Sequence, residues 1–589
     1  MFDLTITGGT VVDGTGADRY RADIGITGGR ITEIRRCHGD DVGLREAPTA
    51  ENIDATGRVV TPGFVDVHTH YDGQVSWDAT LEPSSLHGVT TVVSGNCGVG
   101  FAPVRPGREQ WLIELMEGVE DIPGSALAEG ITWGWESFPE YLDAIEKREL
   151  AVDYGTQIAH GAVRGYAMGE RGANNEEATA DDIAVMARIV QEGIEAGALG
   201  FSTSRTEAHR AMDGQAVPGT YAAEMELFGL GKAMAAGGRA VFEVAPQGTA
   251  GESPAEACMH ELDWMTRLSD EMDRPVSFTL IQASHAPDLW RRQLERAGKA
   301  QENGIAVYAQ FAARPFGMLL GFPGYHAFTH RPTFRRLQES LDRDELAARL
   351  ADPAVKAAIL AETDLPPTPG VLLDGLFALA QYSADRIYAI GDPPDYEPTP
   401  DMTVAAIAAA RGQDPLSTMY DLMLESDAGA MLMLPFFNYA EGDHSAIYEM
   451  MGHPAAVSGL SDGGAHCGLI CDASYPTFLL THWARDRHRG PRFSLEYVVR
   501  KQTLDTATLF GLDDRGVIRV GKKADLNVID MTALQLGVPR MAYDLPAGGR
   551  RLLQDASGYD ATVVSGVVTR RHGRDTGARP GRLVRGAQA

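Results

Sequence analysis

Eight apolar runs of strand length alternate with helical stretches along the middle of this 589-residue chain. Helical periodicity is clearest in residues 178–197 and 288–304. Strands that alternate with helices form parallel sheets, and eight repeats favour a closed (β/α)8 TIM barrel over an open, doubly wound sheet. The predicted barrel strands are residues 64–69, 90–94, 154–158, 198–203, 240–244, 276–281, 306–311 and 455–460.

The two ends of the chain follow a different pattern. Residues 1–60 and 515–574 contain short β-branched runs broken by Gly and Asp, which is typical of hairpins. Neither piece has enough apolar residues for its own core, so we predict one small β-sandwich-like domain built from both termini. It accompanies a barrel domain of residues 61–514. Residues 575–589 are rich in Gly, Arg and Pro, and we expect a tail there.

The strand spacing breaks once, between the seventh and eighth runs. Residues 314–453 are too many for a connecting loop and contain helical segments and many prolines. We therefore predict a helical insertion after strand seven. Barrels hold their active sites on the face where such an insertion emerges, so we expect it to cover the pocket as a lid.

Composition disfavours several kinds of partner. The 52 Lys and Arg residues face 81 Asp and Glu residues, and the net charge of −29 repels nucleic acids and anionic membrane surfaces. We therefore expect the partner to be a small-molecule substrate. Five cysteines make no disulfide framework, the N-terminus lacks a signal-peptide pattern, and no apolar run approaches the ~18 residues of a membrane span. We expect a cytoplasmic protein, and the sequence leaves open whether it forms a homo-oligomer.

A histidine pair gives the strongest local signal for chemistry. In GFVDVHTH, residues 63–70, His68 and His70 share one face of a strand with Cα atoms about 6.6 Å apart. Both imidazoles then reach one metal ion. An isolated pair of this kind would more often make ordinary hydrogen bonds. This pair ends the first barrel strand, which favours a metal site. Asp66 is expected to orient a ligand or to satisfy polar groups at the base of the barrel rather than to bind metal.

Two further strand ends carry metal-ligand residue types. Cys97, in SGNCG, follows the second run, and a thiolate is a good zinc ligand, although a lone Cys is more often a buried filler. Asp462, in LSDGGAH, follows the eighth run, where a carboxylate binds metal and takes up a proton, although SDGG alone is a common turn. We predict a Zn²⁺ site with one or two ions.

These motifs and the split β domain resemble the metal-dependent amidohydrolases, in particular the N-acyl-D-amino-acid deacylase (D-aminoacylase) branch. The resemblance runs from TITGGTVVDGTG through PGFVDVHTHYD, GVTTVVSGNCG, GALGFSTS and SDGGAH to DRGVIRVGKKADLNVID. HTHYD with GNCG is specific for that branch. The resemblance implies a TIM-barrel zinc hydrolase that cleaves N-acyl-D-amino acids. His68 and His70 would be ligands, Cys97 a metal-bridging thiolate, and Asp462 a ligand and proton shuttle.

The sequence departs from the family pattern at strands five and six. Members of the family carry a His at the end of each strand, whereas these ends read VFEVAPQG and FTLIQASH here. Glu243 and Gln282 stand near those positions, and His285 follows three residues after Gln282. Either Glu243 or His285 substitutes as a ligand, or the second metal site is weak or absent.

Lysine positions separate the related branches. A carboxylated lysine that bridges two metals, as in hydantoinase and urease relatives, has no candidate because no lysine falls in a predicted barrel strand. Cys97 fills that role, which favours the deacylase branch over cyclic-amide hydrolases. The lysines are Lys147, Lys232, Lys299, Lys356, Lys501, Lys522 and Lys523.

Other polar residues near strand ends are expected to bind substrate. An arginine fork suits the carboxylate of an N-acyl amino acid, and a histidine suits an oxyanion. Most arginines are nevertheless solvated, and a histidine here is equally often structural. The expected residues are His160, Arg205, His209, Arg314 and His466.

We therefore predict zinc-dependent hydrolysis of a linear amide, with N-acyl-D-amino acids as the favoured substrates. A first alternative is a metal-dependent hydrolase of another amide, a lactam or a cyclic substrate. A second is a metal-free, non-catalytic scaffold, which the missing histidines at strands five and six would fit.

Overall fold

The computed structural model describes residues 1–37, 43–366 and 379–586, so the predicted β domain, insertion and tail each extend partly outside the described residues. Eight parallel strands form one sheet in chain order. The sheet closes because the amide of His70 donates to the carbonyl of Gly463 over 2.8 Å. The predicted barrel is confirmed. Its strands are Phe64–Asp66, Val89–Ser94, Asp153–Ala159, Gly200–Ser204, Val241–Ala245, Val276–Leu280, Val307–Phe311 and Ala456–Ser458.

Helices cover the outside of the barrel and bury the outer face of its strands. Ala180–Ala196 illustrates their local signals: Thr179 and Asp182 form a capping box, and Gly197 ends the helix at a left-handed φ of 115°. No helix among the described residues combines the length and apolarity needed to cross a membrane. The other helices around the barrel are Glu109–Glu120, Gly124–Gly130, Phe138–Glu146, His160–Met168, Glu170–Ala173, Glu224–Gly237, Ala255–Met272, Leu289–Glu302, Ser445–Gly452, Tyr475–Phe478, the π-helix Leu479–Asp486, Leu495–Lys501 and Leu504–Leu509.

Strands from both termini share a second, nine-stranded sheet. Val59–Pro62 and Leu526–Ile529 pair antiparallel and join the two halves. Gln535–Leu536 pairs with Ala556–Ser557, and the hairpin Arg540–Leu545 with Gly549–Leu553 reaches the barrel loops. The remaining strands are Phe2–Val11, Tyr20–Thr27, Arg30–Arg36, Thr49–Asp54, Tyr559–Val564, Val567–Arg571 and Arg574–Asp575.

The sequence predicts a helical insertion after strand seven, but the described part of this insertion also contains strands. It contains a three-stranded antiparallel sheet, because the apolar runs FGMLL and LMLPFF pair with each other and leave their helical neighbours to cover them. The insertion has its own apolar core, which includes Phe334 and Tyr420. Its strands are Phe316–Leu320, Tyr388–Ala389 and Leu432–Phe437, and its helices are Pro332–Ser340, Arg343–Leu350, Pro353–Ala361, Val404–Arg411 and Pro415–Ala428.

The segment expected to be a tail packs against the barrel as far as residue 586. The amide of Tyr154 donates to the carbonyl of Arg582 over 3.0 Å, and the amide of Val584 donates to the carbonyl of Tyr154 over 2.7 Å. Arg585 forms ion pairs with Asp143 and Glu146. A composition rich in Gly, Arg and Pro indicates weak local structure, but backbone groups at the edge of the barrel supply partners that the sequence does not reveal.

Candidate active site

His68, His70 and Cys97 meet where the first two barrel strands end. Their ligand atoms all lie within 4.8 Å of one another, and all three residues are buried. The Cys97 sulfur is 3.4 Å from Nε2 of His68. Two neutral imidazoles and a thiolate are a common donor set for zinc.

Glycine permits the tight turn that brings Cys97 to this position. Gly95 has a φ of 75°, and a Cβ atom there would lie 2.3 Å from the carbonyl oxygen of Gln157. Only glycine fits this backbone without displacing strand three. Cys97 itself has a left-handed φ of 56°, which is costly for a residue with a side chain. Such strain is typical of functional sites, where the surrounding structure maintains it.

Asp462 joins the cluster through the closure of the barrel. Its amide donates to the carbonyl of His68 over 3.1 Å. Its Oδ1 atom then lies 3.4 Å from Nε2 of His68 and 3.8 Å from Nε2 of His70. Asp462 also has a left-handed φ, of 48°. The carboxylate therefore faces both imidazoles from the eighth strand.

Sequence analysis missed Glu120, which is buried beside the histidines. Its Oε1 atom is 3.4 Å from Nδ1 of His70, and its Oε2 atom is 3.7 Å from Nε2 of His466. Nε2 of His466 is also 3.7 Å from Oδ2 of Asp462. Glu120 ends the helix Glu109–Glu120 and follows no strand. No motif marks such a position, so only the packing of that helix shows its role.

Glu243, on strand five, faces the cluster from the opposite side. Its Oε2 atom accepts a hydrogen bond of 3.0 Å from the amide of Cys97. Its Oε1 atom is buried and makes no hydrogen bond with any described residue. Oε1 of Glu243 is therefore available to a cation.

Burial and mutual repulsion control the electrostatics of the cluster. Burial, aided by nearby carboxylates that include Glu243 and Glu120, raises the pKa of the Cys97 thiol. Burial and Asp462 raise the pKa of Glu243 to about 8. Burial lowers the pKa of His70 to about 3. The imidazoles are neutral in this arrangement, and the ionised form of the crowded acidic groups is disfavoured. The charge of a bound cation would favour the ionised acids instead.

Unsatisfied buried atoms support a metal at this site. Neither ring nitrogen of His70 forms a hydrogen bond with a described residue, and the same holds for Oε1 of Glu120. Buried polar atoms are rarely left in this state without a partner such as an ion. The donor set and these atoms fit a divalent metal.

The sequence model of the amidohydrolase family matches residues 51–570 of the chain. The chain belongs to the amidohydrolase family. A D-aminoacylase from Alcaligenes xylosoxydans xylosoxydans is 26% identical over 99% of this chain and 97% of its own length. An N-acyl-D-glutamate deacylase from the same organism is 35% identical over 40% of this chain and 42% of its own.

A solved structure shows the same fold. It is an N-acyl-D-glutamate deacylase from Bordetella bronchiseptica in complex with zinc and a phosphonate inhibitor, with a TM-score of 0.64, 24% identity, and 99% of each chain covered. The family match and the D-aminoacylase relative show that the chain is a hydrolase that acts on amide C–N bonds.

Three residues expected to bind substrate have other partners in this amidohydrolase. Both ring nitrogens of His160 are occupied, by Thr203 and Glu226, each at 2.8 Å. These contacts leave His160 no free polar atom for a substrate oxyanion. Its role is structural, because Glu226 also pairs with the buried Arg164.

The two arginines expected to bind a carboxylate are paired inside the protein. Arg205 binds Glu261 over 2.9 Å. Arg314 is fully buried, binds Asp472 over 2.9 Å, and lies 3.8 Å from the ring centre of Tyr396. Each guanidinium is satisfied by an internal carboxylate, so neither is available to a substrate.

Of the three other histidines that the sequence suggested, His209 and His466 lie near His68 and His70, and His285 does not. Burial, together with the neighbouring His70 and His68, lowers the pKa of His209 to about 4. His466 contacts Glu120 and Asp462, as described above. His285 lies exposed beyond strand six, where it faces Gly251 rather than the cluster. Of the two substitute ligands that the sequence suggested, the structure brings only Glu243 to the site.

Proposed function

We propose that this amidohydrolase is a zinc-dependent deacylase that hydrolyses the linear amide of N-acyl-D-amino acids. The convergence of His68, His70, Cys97 and Asp462 at one end of the barrel carries this proposal. The names of its relatives, a D-aminoacylase and an N-acyl-D-glutamate deacylase, support the substrate class. No lysine lies in a barrel strand, which supports a thiolate centre over a carboxylated-lysine centre.

His68, His70, Cys97 and Asp462 would hold the ion. When bound, zinc supplies Lewis-acid polarisation of the substrate carbonyl. Glu243 binds the amide of Cys97 with Oε2 and leaves Oε1 without a described partner, which supports a second cation position near Cys97. A carboxylate there would take the place of the histidine that the family pattern has at strand five.

Asp462 is the group that we assign to proton transfer. Its carboxylate follows strand eight and has Oδ1 within 4 Å of Nε2 of both imidazoles. We propose that it accepts a proton from the attacking water and returns the proton to the departing amine. The hydrogen bond from the amide of Asp462 to the carbonyl of His68 holds this residue beside the two imidazoles.

The substrate carboxylate requires a partner other than Arg205 or Arg314, since both are paired internally. His209 and His466 are the imidazoles that border the cluster and retain exposed surface. We propose that they meet the polar end of the substrate. The other polar groups around the metal position are acidic, so these two imidazoles are the donors that remain for the substrate carboxylate.

Activity assays on a panel of amides test the proposal. The panel contains N-acetyl-D-amino acids with apolar and acidic side chains, their L-enantiomers, and hydantoins and lactams, assayed with zinc-loaded protein. We expect turnover of the D-series, and its loss in His68→Ala and His70→Ala with metal content reduced. His572→Ala, a change at an exposed histidine of the terminal sheet, is the matched control.

Two results would contradict the proposal. Turnover of hydantoins or lactams without turnover of N-acetyl-D-amino acids would indicate a cyclic-amide hydrolase. Protein that holds no zinc and turns over none of the panel would indicate a non-catalytic scaffold.

A further inference from the structure

A second cluster of metal-ligand side chains lies outside the active site. Glu397, His444 and His482 bring one carboxylate oxygen and two ring nitrogens within 4.8 Å of one another. Glu397 and His444 are buried, and the His482 side chain is 13% exposed. The mechanism proposed above uses none of the three.

The distances between the three atoms match the coordination shell of zinc. Nδ1 of His444 is 3.1 Å from Nε2 of His482. Oε2 of Glu397 is 3.2 Å from Nε2 of His482 and 3.7 Å from Nδ1 of His444. Tetrahedral ligands about 2.1 Å from zinc lie about 3.4 Å apart, so the three atoms can surround one ion with little movement.

The three ligand atoms can share only one hydrogen among themselves. Nε2 of His444 lies 2.8 Å from the carbonyl of Tyr396 and donates its hydrogen there, so Nδ1 of His444 carries a lone pair. The oxygen of ionised Glu397 is also an acceptor. Nε2 of His482 carries at most one hydrogen for these two acceptors. A cation at the centre would contact all three atoms at once.

The surrounding contacts orient the ligands as the outer shell of a metal site does. Arg487 binds both oxygens of Glu397, at 3.0 Å to Oε1 and 3.1 Å to Oε2. The carbonyl of Tyr396 fixes the tautomer of His444. Partners of this kind hold ligands in place in metal sites. The charge of Arg487 also weakens the attraction of Glu397 for a cation, which predicts moderate affinity.

We propose that Glu397, His444 and His482 form a second, structural site for zinc. Glu397 belongs to the insertion, His444 precedes the helix Ser445–Gly452, and His482 lies in the π-helix Leu479–Asp486 after strand eight. An ion there joins segments that are far apart in the chain. It would hold the base of the insertion to the barrel and stabilise the folded state.

Zinc titration of a chain that lacks the active-site ligands tests this site without interference. The background carries His68→Ala, His70→Ala, Cys97→Ser and Asp462→Ala. Calorimetry with Zn²⁺ should give about one ion per chain with micromolar affinity, and zinc should raise the melting temperature. Adding His482→Asn should weaken binding at least 100-fold and abolish the thermal shift. Adding His488→Asn, at an exposed histidine near the same helix, should change neither.

A second variant guards against a local folding defect. Glu397→Gln preserves the side-chain shape and should also weaken zinc binding, with circular dichroism that matches the background. The proposal is overturned if the background binds no zinc at 100-micromolar concentrations, as a hydrogen-bonded cluster would, or if both added changes leave the affinity intact. Because the active-site ligands are removed throughout, neither outcome depends on the proposed deacylase activity.

Discussion

The ring of His68 is held by Gln310, whose Oε1 atom lies 2.8 Å from Nδ1 of the imidazole. Gln310 donates its own amide hydrogen to Ser277 over 2.9 Å, so its oxygen faces the histidine. His68 therefore donates from Nδ1 and directs the lone pair of Nε2 toward Cys97 and Asp462. Strand seven thus determines which nitrogen of a strand-one ligand is available to a metal.

Replacement of Gln310 by Leu should loosen this ligand while retaining side-chain bulk. We expect metal affinity and kcat/KM to fall about 10- to 100-fold, which is the usual cost of losing the partner that orients a ligand. Gln310→Glu is the control, because it keeps an acceptor at the same position. Equal losses in both variants would show that the acceptor of Gln310 does not account for the effect.

Cys97→Ser should remove most of the activity. The change nearly preserves volume but replaces a soft sulfur ligand with a poorer oxygen ligand, so zinc affinity should fall and turnover should drop about 100-fold or more. Metal analysis and initial rates measure both effects. Cys258→Ser is the matched control at another buried cysteine. Unchanged metal content and rate in Cys97→Ser would make this residue a packing group.

Asp462→Asn should reduce turnover more than it reduces metal content. The amide fills the same space but cannot accept a proton, and general acid–base groups contribute about 10²–10⁴-fold to kcat. Rates at saturating substrate and zinc content of the same sample separate the two effects. A near-normal kcat would move the proton-transfer role to Glu120, Glu243 or His466.

Asp153 links the barrel, the terminal sheet and the C-terminal segment, and its removal should destabilise the fold. Asp153 binds Arg515 at 2.5 Å and Lys523 at 2.7 Å, and accepts from the amide of Arg582 at 3.0 Å. Burial opposes ionisation, but Lys523 and Arg515 outweigh it and lower the pKa of Asp153. Asp153→Asn should therefore cost about 3 kcal/mol of unfolding free energy at pH 7.

The pH dependence of that loss has a definite sign. A carboxyl with a lowered pKa in the folded state stabilises the protein fully above the unfolded value, about 3.9, and loses that contribution as pH falls through the folded value. The difference between wild type and Asp153→Asn should be constant from pH 7 to about pH 5 and shrink below pH 4. Asp513→Asn, at an exposed pair with Arg239, should cost under about 1 kcal/mol, and an equal loss there would contradict the assignment.

Deletion of residues 577–589 should lower the melting temperature without changing metal content. The deletion removes the backbone bonds between Tyr154 and residues 582–584 and the ion pairs of Arg585. Deletion of residues 587–589 alone retains these contacts and is the control. Identical melting temperatures for the two truncated chains would show that the segment packs without stabilising the barrel.

The barrel, and the placing of four candidate residues together at one end of it, could be predicted from sequence because their signals are local. Each barrel strand is buried on both faces and reads as an apolar run, which sets the number and order of strands. His68, His70, Cys97 and Asp462 follow directly after such runs. The active site of a TIM barrel lies at the carboxyl ends of its strands. A residue that directly follows a strand is therefore placed near the active site by its position in the sequence.

The remaining features depended on contacts between distant segments. Glu120 reaches His70 from the end of a helix, and Gln310 reaches His68 from strand seven. Neither contact has a local signal in the sequence. Arg205 and Arg314 look available in the sequence, but Glu261 and Asp472 neutralise them in the interior. Sequence determines which chemical groups the chain carries and which backbone pattern presents them. Only tertiary packing decides which charges are paired, because pairing follows from burial and distance in space.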